Sequence, residues 1–174
     1  GEGRDVSRAV TRADWLGRYS RIMHDLAVQH LLVKRLSGYR EVLYERNYSN
    51  DASTRPDAIV FPQGKPYGIA VEYERWRKSK SRIYMAFCNH KDALVNGDYN
   101  GVYLFFERDV DMHHYKSLFD ADAWPVYRRA KGSGSPVSTG EHFLPGSVRN
   151  LREVFFFNHD PVLDEDGGRF ASAI

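Results

Sequence analysis

The segment from Asp57 to Glu74 does most to narrow what this chain can fold into. Two short apolar runs, Asp57–Phe61 (DAIVF) and Tyr67–Glu74 (YGIAVEYE), flank the turn-forming Pro62-Gln63-Gly64-Lys65-Pro66. Apolar runs joined by a Pro- and Gly-containing turn predict a β-hairpin. Before it, Tyr39–Tyr48 (YREVLYERNY) alternates aromatic and branched residues with polar ones, predicting another strand, and the polar stretch Ser49–Arg55 predicts a loop. Further upstream, Leu16, Tyr19, Met23, Leu26, His30 and Val33 recur every three or four residues or a multiple of that period, predicting an amphipathic helix over 11–36. Thr11 or Ser7 supplies a cap for it and Ser37-Gly38 a stop.

Downstream, the pattern predicts a helix over Ser79–Val95 closed by Asn96-Gly97, a strand over Gly101–Glu107 and a helix over Asp109–Phe119. The strand (GVYLFFE) is almost wholly apolar, as expected where both faces are covered. Lys131–Gly140 (KGSGSPVSTG) reads as flexible, Arg152–Phe157 (REVFFF) as a late strand, and the acidic tail after Asn158 as loose.

Helix, three strands, helix, strand implies an α/β fold in which a mixed sheet is flanked by helices on both faces. It departs from the strict strand–helix alternation of doubly wound nucleotide-binding folds, and neither GxGxxG nor GxxxxGK[ST] occurs. At 174 residues the expected organisation is a single domain over 1–174, with its core at about 11–119 and C-terminal additions over 120–174. The lone Cys88 cannot form an internal disulfide, which fits a reducing compartment. No apolar run approaches the roughly 18 residues that would span a bilayer. No secretory signal opens the chain, and its start at Gly1 rather than Met reads as a trimmed or excised piece. The expectation is a cytoplasmic domain with no membrane partner.

The chemistry concentrates on the hairpin. Asp57 opens its first strand directly after Pro56; Glu72 and Glu74 lie two apart on the returning strand and so share a face, with Val71 and Tyr73 on the other. Carboxylates brought to one sheet end repel one another unless a cation or protons neutralise them. Hard oxygen donors at this density suit Mg2+ or Mn2+. Arg75, Arg77, Lys78, Lys80 and Arg82 follow at once, with Trp76 among them. Cations at a helix start oppose the helix dipole, which favours an anionic partner, and DNA is the expected one. Trp76 offers a ring on which an unpaired base can stack.

Arg55-Pro56-Asp57-Ala58 followed by Val71-Glu72-Tyr73-Glu74 resembles the bipartite signature of the PD-(D/E)xK nuclease superfamily, over roughly residues 15–107. The resemblance implies a restriction-endonuclease-like αβββαβ core. Most members carry Lys where this chain has Glu74, so Lys78 is the candidate replacement for that charge. Adding Met23-His24-Asp25-Leu26-Ala27-Val28 on the first helix, and Lys78 and Arg82 after the carboxylates, the chain is similar to MobC-type (replication-relaxation) mobilisation relaxases. That resemblance implies metal-dependent DNA nicking at an origin of transfer, in company with other mobilisation or relaxosome proteins. By the same carry-over Asp57, Glu72 and Glu74 are metal-binding and catalytic carboxylates, with Lys78 and His24 contributing to catalysis. A tyrosine nucleophile has four candidates, Tyr19, Tyr44, Tyr48 and Tyr84.

Two rival readings stand beside this. One is a non-catalytic DNA-binding accessory protein on a nuclease-like core, motivated by the absence of Lys at position 74. The other is a hydrolytic endonuclease of restriction or transposition type. Glu41 and Glu45 share a strand face and read as surface charges, and Cys88 falls in the apolar pattern of its helix as a buried, inert thiol.

Overall fold

The computed structural model describes residues 12–36, 38–39, 41–44, 55–130 and 135–161. Tyr48, Glu45, Ser7 and Thr11 lie outside them, as does most of the loop expected over Ser49–Arg55. The elements are α1 (Arg12–Leu36), β1 (Glu41–Tyr44), β2 (Ala58–Phe61), β3 (Ile69–Glu74), α2 (Lys80–Asn96), β4 (Val102–Phe106), α3 (Asp109–Phe119), β5 (Trp124–Arg129), β6 (Pro136–Phe143) and β7 (Phe155–His159). Short 3₁₀ turns occupy Pro145–Ser147 and Leu151–Glu153.

The main sheet is mixed and five-stranded, in the order β1-β2-β3-β4-β7. The hairpin forms as expected: β2 and β3 are antiparallel with Ala58 opposite Val71 and Val60 opposite Ile69. Gly68 begins the return, where a Cβ would stand 2.5 Å from the Ile59 side chain, so only glycine fits without displacing that residue. A parallel partner for β3 needs a long crossover, and α2 supplies it, bringing β4 alongside with Glu72 opposite Leu104 and Glu74 opposite Phe106. Gly97, at φ 80°, ends α2 in the left-handed region, its N–H donating to Leu94 O at 3.2 Å.

Two apolar layers clasp the sheet. On one face Ala27, Val28, Leu31, Leu32 and Leu36 of α1 pack on Val60, Val71, Tyr73 and Phe105. On the other, Ile83, Tyr84 and Phe87 of α2 and Tyr115 and Phe119 of α3 pack on Ala70, Val102, Leu104, Phe106 and Phe155. Strand β4 is thus covered on both faces, as its composition implies. Cys88 is buried in the second layer, and burial pushes its thiol up.

Three expectations need correction. The core face of α1 is rotated from the stripe the periodicity suggested: Tyr19, Leu26 and Val33 are exposed, and Val33 is 75% accessible. Both stripes obey the helical period, and only the packing partner chooses between them. The stretch expected to be flexible is in part a strand, since β6 pairs antiparallel with β5 and forms a second, two-stranded sheet. Trp124 at the head of β5 is fully buried against Phe119 and Phe87. Finally, Asp160 is not loose. Its N–H donates to Phe106 O at 3.1 Å, and its carboxylate takes hydrogen bonds from Lys34 and Arg35 at the end of α1. Burial works to raise Asp160, but these two cations outweigh it and hold the carboxyl below its ordinary range.

Candidate functional site

Asp57, Glu72, Glu74, Lys78 and His24 line one cavity of about 810 Å3, together with Arg75, Trp76, Arg77 and Arg82. The hairpin supplies the carboxylates, α1 supplies His24, and the linker from β3 into α2 supplies the cations. All the sequence-derived site residues therefore converge except Lys80, whose Nζ lies 5.8 Å over the Tyr84 ring on the first turn of α2.

Each carboxylate has a different partner. Asp57 Oδ2 accepts the Tyr73 backbone N–H at 2.8 Å, and its Oδ1 stands 3.0 Å from His24 Nε2. Glu72 Oε1 is 3.2 Å from Nε2 of His90, a buried residue of α2 whose Nδ1 is 2.6 Å from Tyr99 Oη. Glu74, 6% exposed, accepts a 2.5 Å hydrogen bond from Lys78 Nζ. Lys78 belongs to the extended linker rather than to α2, and its own N–H donates to Tyr115 Oη at 3.2 Å.

The charges feel one another. Burial pushes the Glu74 carboxyl up; Lys78 opposes this, while Glu72 and Asp57 add to it. Burial works against the Lys78 ammonium, but Glu74 and Glu72 more than compensate and hold it above its ordinary value. The hydrogen bond to Asp57 raises His24, against the smaller opposing effect of burial. Because the folded value lies above the unfolded one of about 6.5, His24 adds stability that is complete below pH 6.5 and fades as pH rises through the folded value. His24→Gln is therefore expected to cost stability at about pH 6 and progressively less towards about pH 9, read by urea denaturation in EDTA. An unchanged difference across that range would refute the pairing.

Among the described residues, no three His, Cys, Asp or Glu side chains stand together as a ready-made metal cluster. A smaller donor set is present. Asp57 and Glu72 both line the cavity and are both partly exposed. One or two carboxylates are what Mg2+ takes when water and a substrate phosphate complete its sphere. Asp57 and Glu72 line the cavity and are of that donor type, while Glu74 is held by Lys78.

The tyrosines are dispersed. Tyr84 is buried beside Phe87, with its hydroxyl raised by burial, and Tyr19 is exposed on α1 outside the cavity lining. Tyr48 is not among the described residues, and nothing is described of the Tyr44 side chain. Reading by sequence also missed His90, Arg108 and Asp111. His90 had a legible signal, a polar residue continuing the buried Ile83–Phe87 stripe of α2.

Comparison with known protein families, curated proteins and solved structures returned no match. No helix among the described residues is long and apolar enough to cross a membrane.

Proposed function

We propose that this chain is a metal-dependent DNA-nicking enzyme of relaxase type on a nuclease-like core, acting at an origin of transfer in the mobilisation of a plasmid or mobile element. The observation that carries the reading is one cavity with an acidic floor of Asp57, Glu72 and Glu74 and a basic rim of Arg75, Arg77, Lys78 and Arg82. An all-basic groove would bind a phosphodiester without needing carboxylates there, and an all-acidic one would repel it. Both together suit a site that holds the backbone and a cation at once.

Asp57 and Glu72 would hold Mg2+ or Mn2+. Bound there, the cation would stabilise charge on the phosphodiester oxygens and lower the pKa of a water. Glu74 keeps the Lys78 ammonium in the cavity, where a fixed positive charge faces the negative charge that develops on a phosphate under attack. His24 holds the Asp57 carboxylate in one orientation and, with its raised pKa, adds positive charge near neutral pH. Arg75, Arg77, Arg82 and Trp76 would grip and stack the DNA at the rim.

The test is conversion of supercoiled plasmid carrying candidate origin DNA, with Mg2+ or Mn2+ and with EDTA. Metal-dependent open circles support the reading. A 5′ end held covalently by a tyrosine would point to a tyrosine relaxase, and a free 5′ phosphate to a hydrolytic endonuclease. One observation favours a second reading: each carboxylate has a partner of its own, and Lys78 occupies Glu74. A DNA-binding accessory protein on the same core would bind without conversion, and EDTA would leave that binding unchanged.

A further inference from the structure

Beside the cavity, one buried carboxylate holds two arginines. Asp111, in the first turn of α3, is 1% exposed. Its Oδ1 accepts Arg77 Nε at 2.7 Å; its Oδ2 accepts Arg108 Nε at 2.7 Å and lies 2.5 Å from Arg108 Nη2. The arginines come from different places, Arg77 from the linker after β3 and Arg108 from the turn after β4. Neither is buried with its partner: 42% of the Arg77 side chain and 48% of the Arg108 side chain remain exposed.

A buried carboxylate needs one guanidinium to balance it. The second brings like charge beside like charge, a repulsion that water screens at these half-exposed heads and that a bound anion would relieve further. Trp76 completes the surface. It is 61% exposed, with Arg108 Cζ 5.8 Å and Arg75 Cζ 5.7 Å from its ring centroid. Arg75 Nε is buried without a hydrogen-bond partner. Two guanidiniums held through Nε on Asp111, next to an exposed indole, leave half-exposed forks of the kind that phosphate oxygens accept.

We propose that Asp111 is a positioning residue that sets Arg77 and Arg108 as a two-arginine clamp for a DNA phosphodiester next to the carboxylate cavity. The inference rests on the DNA-acting reading above, and it adds Arg108 and Asp111 to the interface. Its signature is a sign. By charge alone, removing an acid from a protein that binds DNA strengthens binding. If Asp111 organises the clamp, its removal weakens binding.

The experiment measures binding of a labelled mixed-sequence DNA, duplex and single-stranded, in EDTA over a range of salt. Asp111→Asn is expected to bind about tenfold more weakly, with nicking KM raised and kcat little changed. Asp109→Asn, an exposed acid on the same turn, serves as the charge control and is expected to bind as well as the parent or better. Arg108→Gln is expected to weaken binding for all sequences and lower the salt slope by about one. Should Asp111→Asn fail to fold, Arg77→Gln and Arg108→Gln carry the test. Asp111→Asn binding as tightly as Asp109→Asn, or arginine variants with unchanged salt slopes, would overturn the clamp while leaving the nicking reading intact. A parent chain that binds no DNA would overturn both.

Discussion

Asp57→Asn is expected to lower the proposed metal-dependent nicking by about 10²-fold or more while the chain stays folded. The substitution keeps the shape of the side chain, so the Tyr73 N–H at 2.8 Å can still be accepted by an amide oxygen. What it removes is the negative charge, and with it one of the two carboxylates proposed to hold a divalent cation. The amide nitrogen then faces His24 Nε2, 3.0 Å away in the parent, which favours the neutral imidazole and lowers the raised His24 pKa. Two readouts follow, the nicking rate at saturating Mg2+ and the His24 titration by NMR. Undiminished nicking would remove Asp57 from the mechanism. Loss of nicking together with loss of the folded spectrum would report a structural role instead.

Phe87→Ala is expected to destabilise the domain by about 3–5 kcal/mol, read from urea or thermal unfolding. Phe87 is 1% exposed in the middle of α2, with Phe119 at 5.2 Å and Trp124 at 5.3 Å between ring centroids and Tyr84, Tyr115, Phe155 and Phe157 within 6.5 Å. Those rings come from α2, α3, β5 and β7, so the cavity left by truncation opens where four elements meet and no single one can collapse into it. A loss under about 1 kcal/mol would mean that this layer repacks freely. The loss would reach the site as well, because α2 carries His90 one turn further on, against Glu72.

Much of the candidate site is written in local sequence. Glu72 and Glu74 are two apart on a strand, so they share a face whatever surrounds them, and the hairpin, with Ala58 opposite Val71, brings Asp57 to the same end of it. Here Asp57 accepts the N–H of Tyr73, between the two. Lys78, four residues past Glu74, is within reach of it even from extended linker backbone.

What was not legible has a common cause. The exposed face of β6 leaves few apolar residues to alternate, so its Gly- and Ser-containing sequence looks like a linker until β5 pairs with it. Asp160 follows a strand that ends in polar residues, and only the approach of α1 brings Lys34 and Arg35 to it. Asp111 looks like an ordinary acid in the first turn of a helix, and nothing in its neighbourhood along the chain announces Arg77, thirty-four residues earlier.

The sequence by itself determined the hairpin, the order of elements from α1 to α3, the two-sided burial of β4 and the shared face of the carboxylates, because each depends on strand period, turn chemistry or spacing over a few residues. The tertiary structure alone decided which stripe of α1 is buried, that His24 meets Asp57, that His90 meets Glu72, and that two arginines meet on Asp111. Those contacts join residues from separate elements, and their geometry follows from how the two apolar layers pack against the sheet.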